Sequence, residues 1–393
     1  MAIFYNLPLV DILMILSVFF FLFESTRKKR FIIKTPQIVL LFGFLAAIAL
    51  SHLSHTYFYG AFNSVVEFSK IVIPFILFVN IVNSERKIKI SLWLIIIATV
   101  ILAIQGIYQF NNGLGWAGQP LSLQGRINWV GIFNDGNDLA LAIVMAIGFV
   151  FAFFFGKAHP SLKFLSAVFL GILLYALYLT NSRGGYVALA GTLLFYFTRR
   201  FKNKFIAISL GVIFVFTIFA LGPSRLSTIS ASEESAYGRI DAWYQGMQML
   251  KSSPIFGVGY GMFTEDFSIT AHNSYLLVAA EEGIVGLFFW IALIYSCFKG
   301  LSVLVKRHPR LNSYALGLEA NLVGFLCSAF FLSRSYKDIL YIMLALISSC
   351  LYTFLKKDEY ALSSKDIRIS GFLSFAVLMF TWLTMRVSLR IAG

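Results

Sequence analysis

Apolar runs separated by short polar segments recur along the chain from residue 7 to residue 387. Most of these runs reach the ~17–25 residues that an α-helix needs to cross a bilayer. We therefore predict an all-α integral membrane protein with about twelve transmembrane helices, which form a single polytopic domain over residues 1–393. The predicted spans are residues 7–23, 37–53, 65–82, 90–110, 138–156, 162–180, 185–198, 205–222, 273–298, 313–332, 339–355 and 370–387.

The composition favours a membrane protein over a soluble one. Hydrophobic residues make up 59% of the chain and charged residues only 13%, whereas soluble domains carry about 25% charged residues. The three cysteines, Cys297, Cys327 and Cys350, lie inside or at the end of apolar runs and lack the spacing of metal ligands. The lipid bilayer is thus an expected partner, and neither a metal nor a cofactor is predicted.

The net charge of +14 is explained by membrane topology and does not indicate a nucleic-acid partner. Loops after the odd-numbered spans hold 22 Lys and Arg residues, and the opposite side holds 9. Because basic residues are enriched on the cytoplasmic side, both termini and the long 223–272 loop are predicted to face outward. The nine outer basic residues are Arg126, Arg183, Arg225, Arg239, Lys251, Arg334, Lys337, Arg386 and Arg390.

Three of the outer arginines are candidates for binding an anion, because topology does not explain their position. Arg126 lies in the outer segment 111–137, Arg183 in the short turn between spans 6 and 7, and Arg239 in the 223–272 loop. The planar fork of a guanidinium matches a pair of phosphate oxygens. The alternative is that each side chain extends to lipid headgroups or forms a surface ion pair.

The 223–272 loop contains a segment with one apolar face. Over about 235–252, apolar residues recur at helical spacing, which predicts an amphipathic helix lying along the membrane surface. The residues of this face are Ile240, Trp243, Tyr244, Met247 and Leu250. Arg239 and Asp241 precede Trp243 on the same helix, so all three residues are candidates for a site on the outer side.

His272 is the candidate general base of this outer side. It lies where the loop meets span 9 and is followed by Asn273, which can donate or accept a hydrogen bond. An imidazole titrates near neutral pH and can take a proton from an attacking hydroxyl group. A lone histidine at a membrane interface can also be purely structural, and the sequence leaves both roles open.

Two neighbouring features also have a structural alternative. Glu281 and Glu282 fall within span 9, where a carboxylate needs a buried partner or a functional cavity; Lys70 of span 3 is one candidate partner. The glycine-rich residues 254–261 do not follow a predicted strand, so they fail the context test for a dinucleotide motif. A tight turn that brings the amphipathic helix back toward His272 is the expected role.

The order of these motifs across about 125–286 resembles the bacterial O-antigen ligase and polymerase superfamily. Its members are membrane glycosyltransferases that take a glycan from an undecaprenyl-diphosphate carrier on the outer face of the inner membrane. The resemblance rests on Thr180 to Gly185, Gly238-Arg239 with Trp243, Pro254 with Gly257 and Gly259, His272-Asn273, and Glu282-Gly283 with Gly286. Arg126 with Phe133, Asn134, Asn137 and Ala140 is similar to an upstream feature of the family.

The resemblance implies a role for each motif. Arg183 and Arg239, together with Arg126, are expected to bind the donor diphosphate, and His272 is expected to activate the acceptor hydroxyl. The supporting residues are expected to be Asn273, Asp241, Trp243 and Glu282. The resemblance implies a metal-independent, inverting transfer in the bacterial inner (cytoplasmic) membrane, with the active site facing the periplasm. Ligases are usually drawn with the amino terminus inside, which differs from the outward terminus that the charge count predicts.

Several functions remain open at this point. Ligation of a finished glycan to lipid A core is favoured, and a polymerase with a carrier-linked glycan as acceptor would use the same chemistry. A protein glycosylase would differ only in its acceptor. A transporter or lipid-linked glycan flippase would place polar groups near the midplane in repeated halves. Here the polar residues cluster on one side and no repeat is evident.

Overall fold

The computed structural model describes residues 9–27, 33–122, 125–156, 158–201, 203, 205, 208–209, 212, 234–267 and 269–392. This part of the chain is mainly helical and contains no β-strand. Its α-helices are α1 Leu9–Arg27, α2 Pro36–Leu53, α3 Phe58–Ile81, α4 Glu85–Asn112, α5 Gly136–Phe154, α6 Pro160–Thr180, α7 Arg183–Arg200, α8 Glu234–Ser252, α9 Met262–Asp266, α10 Ser274–Arg307, α11 Asn312–Ala329, α12 Asp338–Phe354, α13 Lys357–Tyr360 and α14 Ser364–Ala392. Short 3₁₀ helices cover Gly131–Phe133 and Pro309–Leu311.

These helices confirm the predicted all-α class. Eleven of the twelve predicted spans coincide with a helix, and the eighth, 205–222, lies mostly outside the described residues. Within the described ranges, seven helices are long and apolar enough to cross a bilayer: Pro36–Leu53, Phe58–Ile81, Glu85–Asn112, Gly136–Phe154, Pro160–Thr180, Ser274–Arg307 and Lys357–Ser388. The chain is thus a multi-pass membrane protein, and the count of twelve spans stays a prediction.

Two helices form the centre of the bundle. α5 packs against α4, α6, α7 and α11, and nearly all of its residues are buried. α10 packs against α2, α8, α11, α12 and α14, and its first ten residues are all buried. A helix that is apolar all round is expected to be enclosed by other helices. The amino-terminal ends of these two buried helices are therefore held rigidly with respect to their neighbours.

Two contacts mark the two ends of the bundle, and the sorting of the loops by charge stays a prediction. At one end, the loop before α5 reaches the α6–α7 turn, where Arg126 Nε donates to the Thr180 carbonyl at 2.7 Å. At the opposite end, Arg199 pairs with the buried Glu319 at 3.8 Å. We call the first of these the site end, because the candidate residues His272, Arg183 and Arg239 belong to the loops and helix termini predicted for that side.

Helix α10 is broken at Gly283, and the segment 254–259 fills the break. Gly283 has φ 67° and ψ −165°, so the helical hydrogen bonds around it are interrupted. Four backbone bonds of 2.9–3.2 Å replace them: Val258 N to Ala280 O, Gly259 N to Glu281 O, Ile284 N to Pro254 O, and Val285 N to Ile255 O. The glycine-rich segment therefore supplies hydrogen-bond partners for the backbone of the broken helix. Such partners are needed because an unpaired buried peptide group costs free energy.

We expect Gly283→Ala to destabilise the protein strongly. The backbone conformation at Gly283 is essentially restricted to glycine and costs another residue about 1–3 kcal/mol. A Cβ atom there would also overlap the Ile255 carbonyl, which adds roughly 1–3 kcal/mol of overpacking. Thermal unfolding in detergent should show a clearly lower midpoint for this variant.

A matched control is Gly171→Ala in α6, where a Cβ would meet no atom within 4 Å. Alanine is favoured over glycine in a helix by up to about 1 kcal/mol, so this variant should unfold at or above the wild-type temperature. Equal midpoints for the Gly283 and Gly171 variants would contradict the proposed role of the break.

Candidate functional site

The site end gathers polar side chains from five separate parts of the chain. They come from the loop before α5, the α6–α7 turn, helix α8, the residues just before α10, and the α11–α12 connection. The buried first turns of α5 and α10 hold the loops in place. Residues that are far apart in sequence are thereby brought to one region.

Arg183 is the first residue of α7, and the turn before it is tightly fixed. Ser182 caps the helix by accepting a bond from Gly185 N at 3.0 Å, and its hydroxyl donates to Asn137 Oδ1 at 2.7 Å. A Cβ on Gly185 would lie 2.7 Å from the Ala140 Cβ. This glycine therefore allows α7 to pack closely on α5, and the packing sets the position of Arg183.

Arg126 is largely committed to the protein itself. Its Nε donates to the Thr180 carbonyl at 2.7 Å and its Nη2 donates to Asn137 Oδ1 at 2.8 Å, while Nη1 lies 3.9 Å from Asp135. Only 13% of the side chain is exposed. The guanidinium joins the loop before α5 to the end of α6. Its predicted part in binding diphosphate stays a prediction.

Helix α8 is the predicted amphipathic helix, and its observed bounds are within one residue of the predicted 235–252. Trp243 and Met247 of the predicted apolar face are buried, and Trp243 packs edge-on against Phe330 with ring centroids 5.3 Å apart. Tyr244 was predicted on the same face but is 44% exposed. Ala242 is buried instead, because α8 packs against both α10 and α14.

The two charged candidate residues of α8, Arg239 and Asp241, differ in exposure. Asp241 is exposed. Arg239 is half-buried, and its positive charge lowers the pKa of His272. Trp243 anchors the helix through its apolar contacts with α10 and α14. The packing of Trp243 thus helps to hold Arg239 near His272, while the supporting role of Asp241 stays a prediction.

His272 occupies a strained position at the site end. Its backbone is left-handed, with φ 50°, and its side chain is half-buried. Burial lowers the pKa of the imidazole below the ordinary value of 6.5, and the nearby charges of Arg239 and Arg334 lower the pKa further, against the opposing effect of Asp135. The neutral form, which can accept a proton, is therefore dominant at neutral pH.

Asn273 holds the first turn of α10 in place. Its Oδ1 accepts bonds from the amides of Tyr275 and Leu276, both at 3.0 Å, which makes it the amino-terminal cap of the helix. Such a cap stabilises a helix by about 1 kcal/mol. Asn273 therefore fixes the backbone next to His272, while its predicted supporting role in the reaction stays a prediction.

Arg334 is a site-end residue that the motif analysis did not select. It lies in the α11–α12 connection, only 12% of its side chain is exposed, and it forms ion pairs with Asp135 and with Asp138, the latter at 2.5 Å. Its backbone amide also donates to Ser274 Oγ at 2.8 Å. The sequence feature that could have identified Arg334 is its place among the nine basic residues predicted on the outer side.

Asp135 is the carboxylate that faces these cations. Burial opposes its ionisation, but the Asn137 amide and the guanidinium groups of Arg334 and Arg126 hold the pKa of Asp135 below its ordinary value. Asp135 also caps α5 by accepting a bond from Asn137 N at 2.9 Å. It is therefore ionised at neutral pH and close enough to influence His272.

Glu281 and Glu282 are buried where α10 is broken. The Tyr336 hydroxyl donates to the Glu282 carboxylate, at 2.8 Å to Oε1 and 2.6 Å to Oε2, and Glu281 Oε1 accepts from Phe263 N at 3.2 Å. The predicted partner Lys70 is wrong: it is exposed and pairs with Glu67 on its own helix at 2.7 Å. Glu282 instead anchors the α11–α12 connection that carries Arg334.

The arrangement suits acid–base chemistry on an anionic substrate. A neutral imidazole lies among guanidinium groups, so it can take a proton while the arginines stabilise negative charge. Among the described residues there is no group of three or more His, Cys, Asp or Glu side chains that could hold a metal ion.

Comparison with known proteins finds a family and two relatives that this chain resembles. Residues 168–291 match the family described as O-Antigen ligase. The chain is 27% identical over 207 residues to the exopolysaccharide production protein ExoQ of Rhizobium meliloti (strain 1021), a match that covers 45% of this chain and 48% of ExoQ. It is 25% identical over 182 residues to a candidate polysaccharide ligase, RC0486, of Rickettsia conorii (strain ATCC VR-613 / Malish 7), covering 39% and 44% of the two chains.

The family match contains Arg183, Arg239, His272 and Glu282, and it does not reach Arg126 or Arg334. The chain spans about half the length of the curated relatives that it matches. The resemblance to O-antigen ligases that the motifs indicated is confirmed over this region.

Proposed function

We propose that this chain transfers a glycan from undecaprenyl diphosphate to an acceptor hydroxyl, because residues 168–291 match the family described as O-Antigen ligase. The observation that carries the proposal is the placement of His272 among the charges of Arg239 and Arg334 at the site end. The favoured acceptor is lipid A core, which would make the protein an O-antigen ligase of the bacterial inner membrane. The site end then faces the periplasm, where both substrates meet.

In the proposed reaction, His272 removes the proton from the acceptor hydroxyl while the acceptor oxygen attacks the anomeric carbon of the glycan. The bond between that carbon and the diphosphate oxygen breaks, and its electron pair leaves with the diphosphate. Arg183 and Arg239 stabilise the negative charge that grows on the leaving group. A single displacement of this kind inverts the anomeric configuration.

The same residues would serve a polymerase, in which the acceptor is another carrier-linked glycan. This second candidate is favoured by the name of one relative, ExoQ, which is an exopolysaccharide production protein. The two activities differ only in the acceptor. A transporter or flippase is disfavoured, because the arginines and His272 belong to one end of the bundle and the central helices α5 and α10 are buried among apolar residues.

The direct test is glycan transfer by the purified protein in detergent, supplied with undecaprenyl-diphosphate glycan and lipid A core. We expect product with EDTA present, because the proposed reaction uses only protein side chains. Longer carrier-linked chains without ligated product would identify a polymerase. Failure to transfer glycan to either acceptor would overturn the proposed function.

A further inference from the structure

The carboxylate of Asp135 is linked to the segment of His272 through Arg334. The Arg334 guanidinium pairs with Asp135, and its backbone amide donates to Ser274 Oγ at 2.8 Å, two residues after His272. Ser274 Oγ in turn donates to the Leu332 carbonyl at 2.5 Å. These contacts connect the first turns of α5 and α10 and place the Asp135 carboxylate beside the segment that carries His272.

Three charged groups from different elements act on His272. Arg239 comes from α8, Arg334 from the α11–α12 connection, and Asp135 from the residue before α5. The two arginines disfavour a proton on the imidazole, and Asp135 favours one. Asp135 is thus the one group of these three that opposes the loss of the proton once His272 has taken it.

We propose that Asp135 stabilises the protonated imidazole of His272 during glycan transfer, and that Arg334 is the residue that positions Asp135. The inference rests on the proposed function, in which His272 accepts the acceptor proton. Asp135 carries no proton itself and need not contact the substrate. Its role is to favour imidazolium formation as the acceptor oxygen bonds to the anomeric carbon, so both residues act through His272.

Asp135 and Arg334 each have a second partner, so replacing either residue should leave the other one paired and preserve the fold. In Asp135→Asn, Arg334 keeps its ion pair with Asp138 at 2.5 Å. In Arg334→Gln, Asp135 keeps Arg126 at 3.9 Å and the Asn137 amide at 2.9 Å. Both substitutions break the same ion pair but remove charges of opposite sign, which separates an electrostatic role from a structural one.

The test is the acid limb of the pH dependence of kcat/KM, which reports the pKa of the base in the free enzyme. Asp135→Asn should move this limb to lower pH, because the Asp135 carboxylate raises the pKa of His272, and should lower kcat at the plateau. Arg334→Gln should move the limb to higher pH. Shifts in the same direction, or no shift in either variant, would overturn the proposal.

Asp138→Asn is the matched control, because it removes a carboxylate from Arg334 but leaves the Arg334–Asp135 pair. We expect no movement of the acid limb in this variant. The pKa of His272 can also be measured without turnover, by NMR of protein carrying ¹³C-labelled histidine. The chain has 5 histidines, and His272→Ala identifies the relevant signal. If the pKa of His272 shifted in opposite directions in Asp135→Asn and Arg334→Gln but the wild-type protein transferred no glycan, the proposed function would be rejected. The effect of Asp135 and Arg334 on His272 would still stand.

Discussion

Replacing His272 with alanine is expected to reduce glycan transfer by about 10²–10⁴-fold, the range for loss of a general base. Donor binding should persist, because the arginines proposed to hold the diphosphate lie on α7 and α8. The measurement is single-turnover transfer at saturating acceptor, combined with an equilibrium binding assay for the undecaprenyl-diphosphate donor. The expected result is a loss of rate without a matching loss of affinity.

His55→Ala provides a control from the same side of the bundle. His55 is exposed, and its Nδ1 lies 2.9 Å from the Ser51 carbonyl at the end of α2, so it serves local structure. Its replacement should leave transfer near the wild-type rate. Wild-type turnover by the His272 variant, with this control also active, would remove His272 from the mechanism.

Lysine at position 183 or position 239 should lower transfer by about 10–10³-fold, since loss of one preorganised donor to a developing anion typically costs 10²–10³. Lysine keeps the positive charge but lacks the planar fork that can bind two phosphate oxygens. Affinity for the carrier-linked donor should therefore fall in both variants. Binding of donor to protein in nanodiscs measures this effect separately from the chemical step.

The Arg239→Lys variant also separates geometry from charge. Because lysine keeps the charge that lowers the pKa of His272, the acid limb of the pH profile should stay near its wild-type position. Arg386→Lys is a suitable control, because Arg386 is exposed and stacks on Trp382 at 5.4 Å. If both Arg183→Lys and Arg239→Lys bound donor with wild-type affinity, the diphosphate assignment would be wrong.

The candidate site shows how far residue type and position can lead. His272 was selected because an imidazole at a loop boundary has chemistry of its own, and its catalytic role stays a prediction. Arg126 was selected as a candidate and Arg334 was not, although both are outer basic residues. The structure distinguishes them by contacts: Arg126 is engaged by Thr180 and Asn137, whereas Arg334 acts on His272.

The buried carboxylates of Glu281 and Glu282 show what the sequence could not predict. Their position within an apolar run predicted that they need partners, because an unpaired charge in a membrane is costly. The identity of the partner could not be predicted. Lys70 was the available cation, but the structure uses the Tyr336 hydroxyl for Glu282. A neutral donor on a distant connection has no signature in the sequence around Glu282.

The sequence by itself determined the all-α membrane class, the helix at about 235–252, and the histidine and arginines worth testing. Those features depend on local periodicity, residue type and charge bias, which neighbouring residues carry. Tertiary structure alone decided that Asp135 meets Arg334 across 199 residues and that segment 254–259 completes the break at Gly283. Contacts of this kind arise from helix packing, because side chains far apart in the chain become neighbours only when the bundle forms.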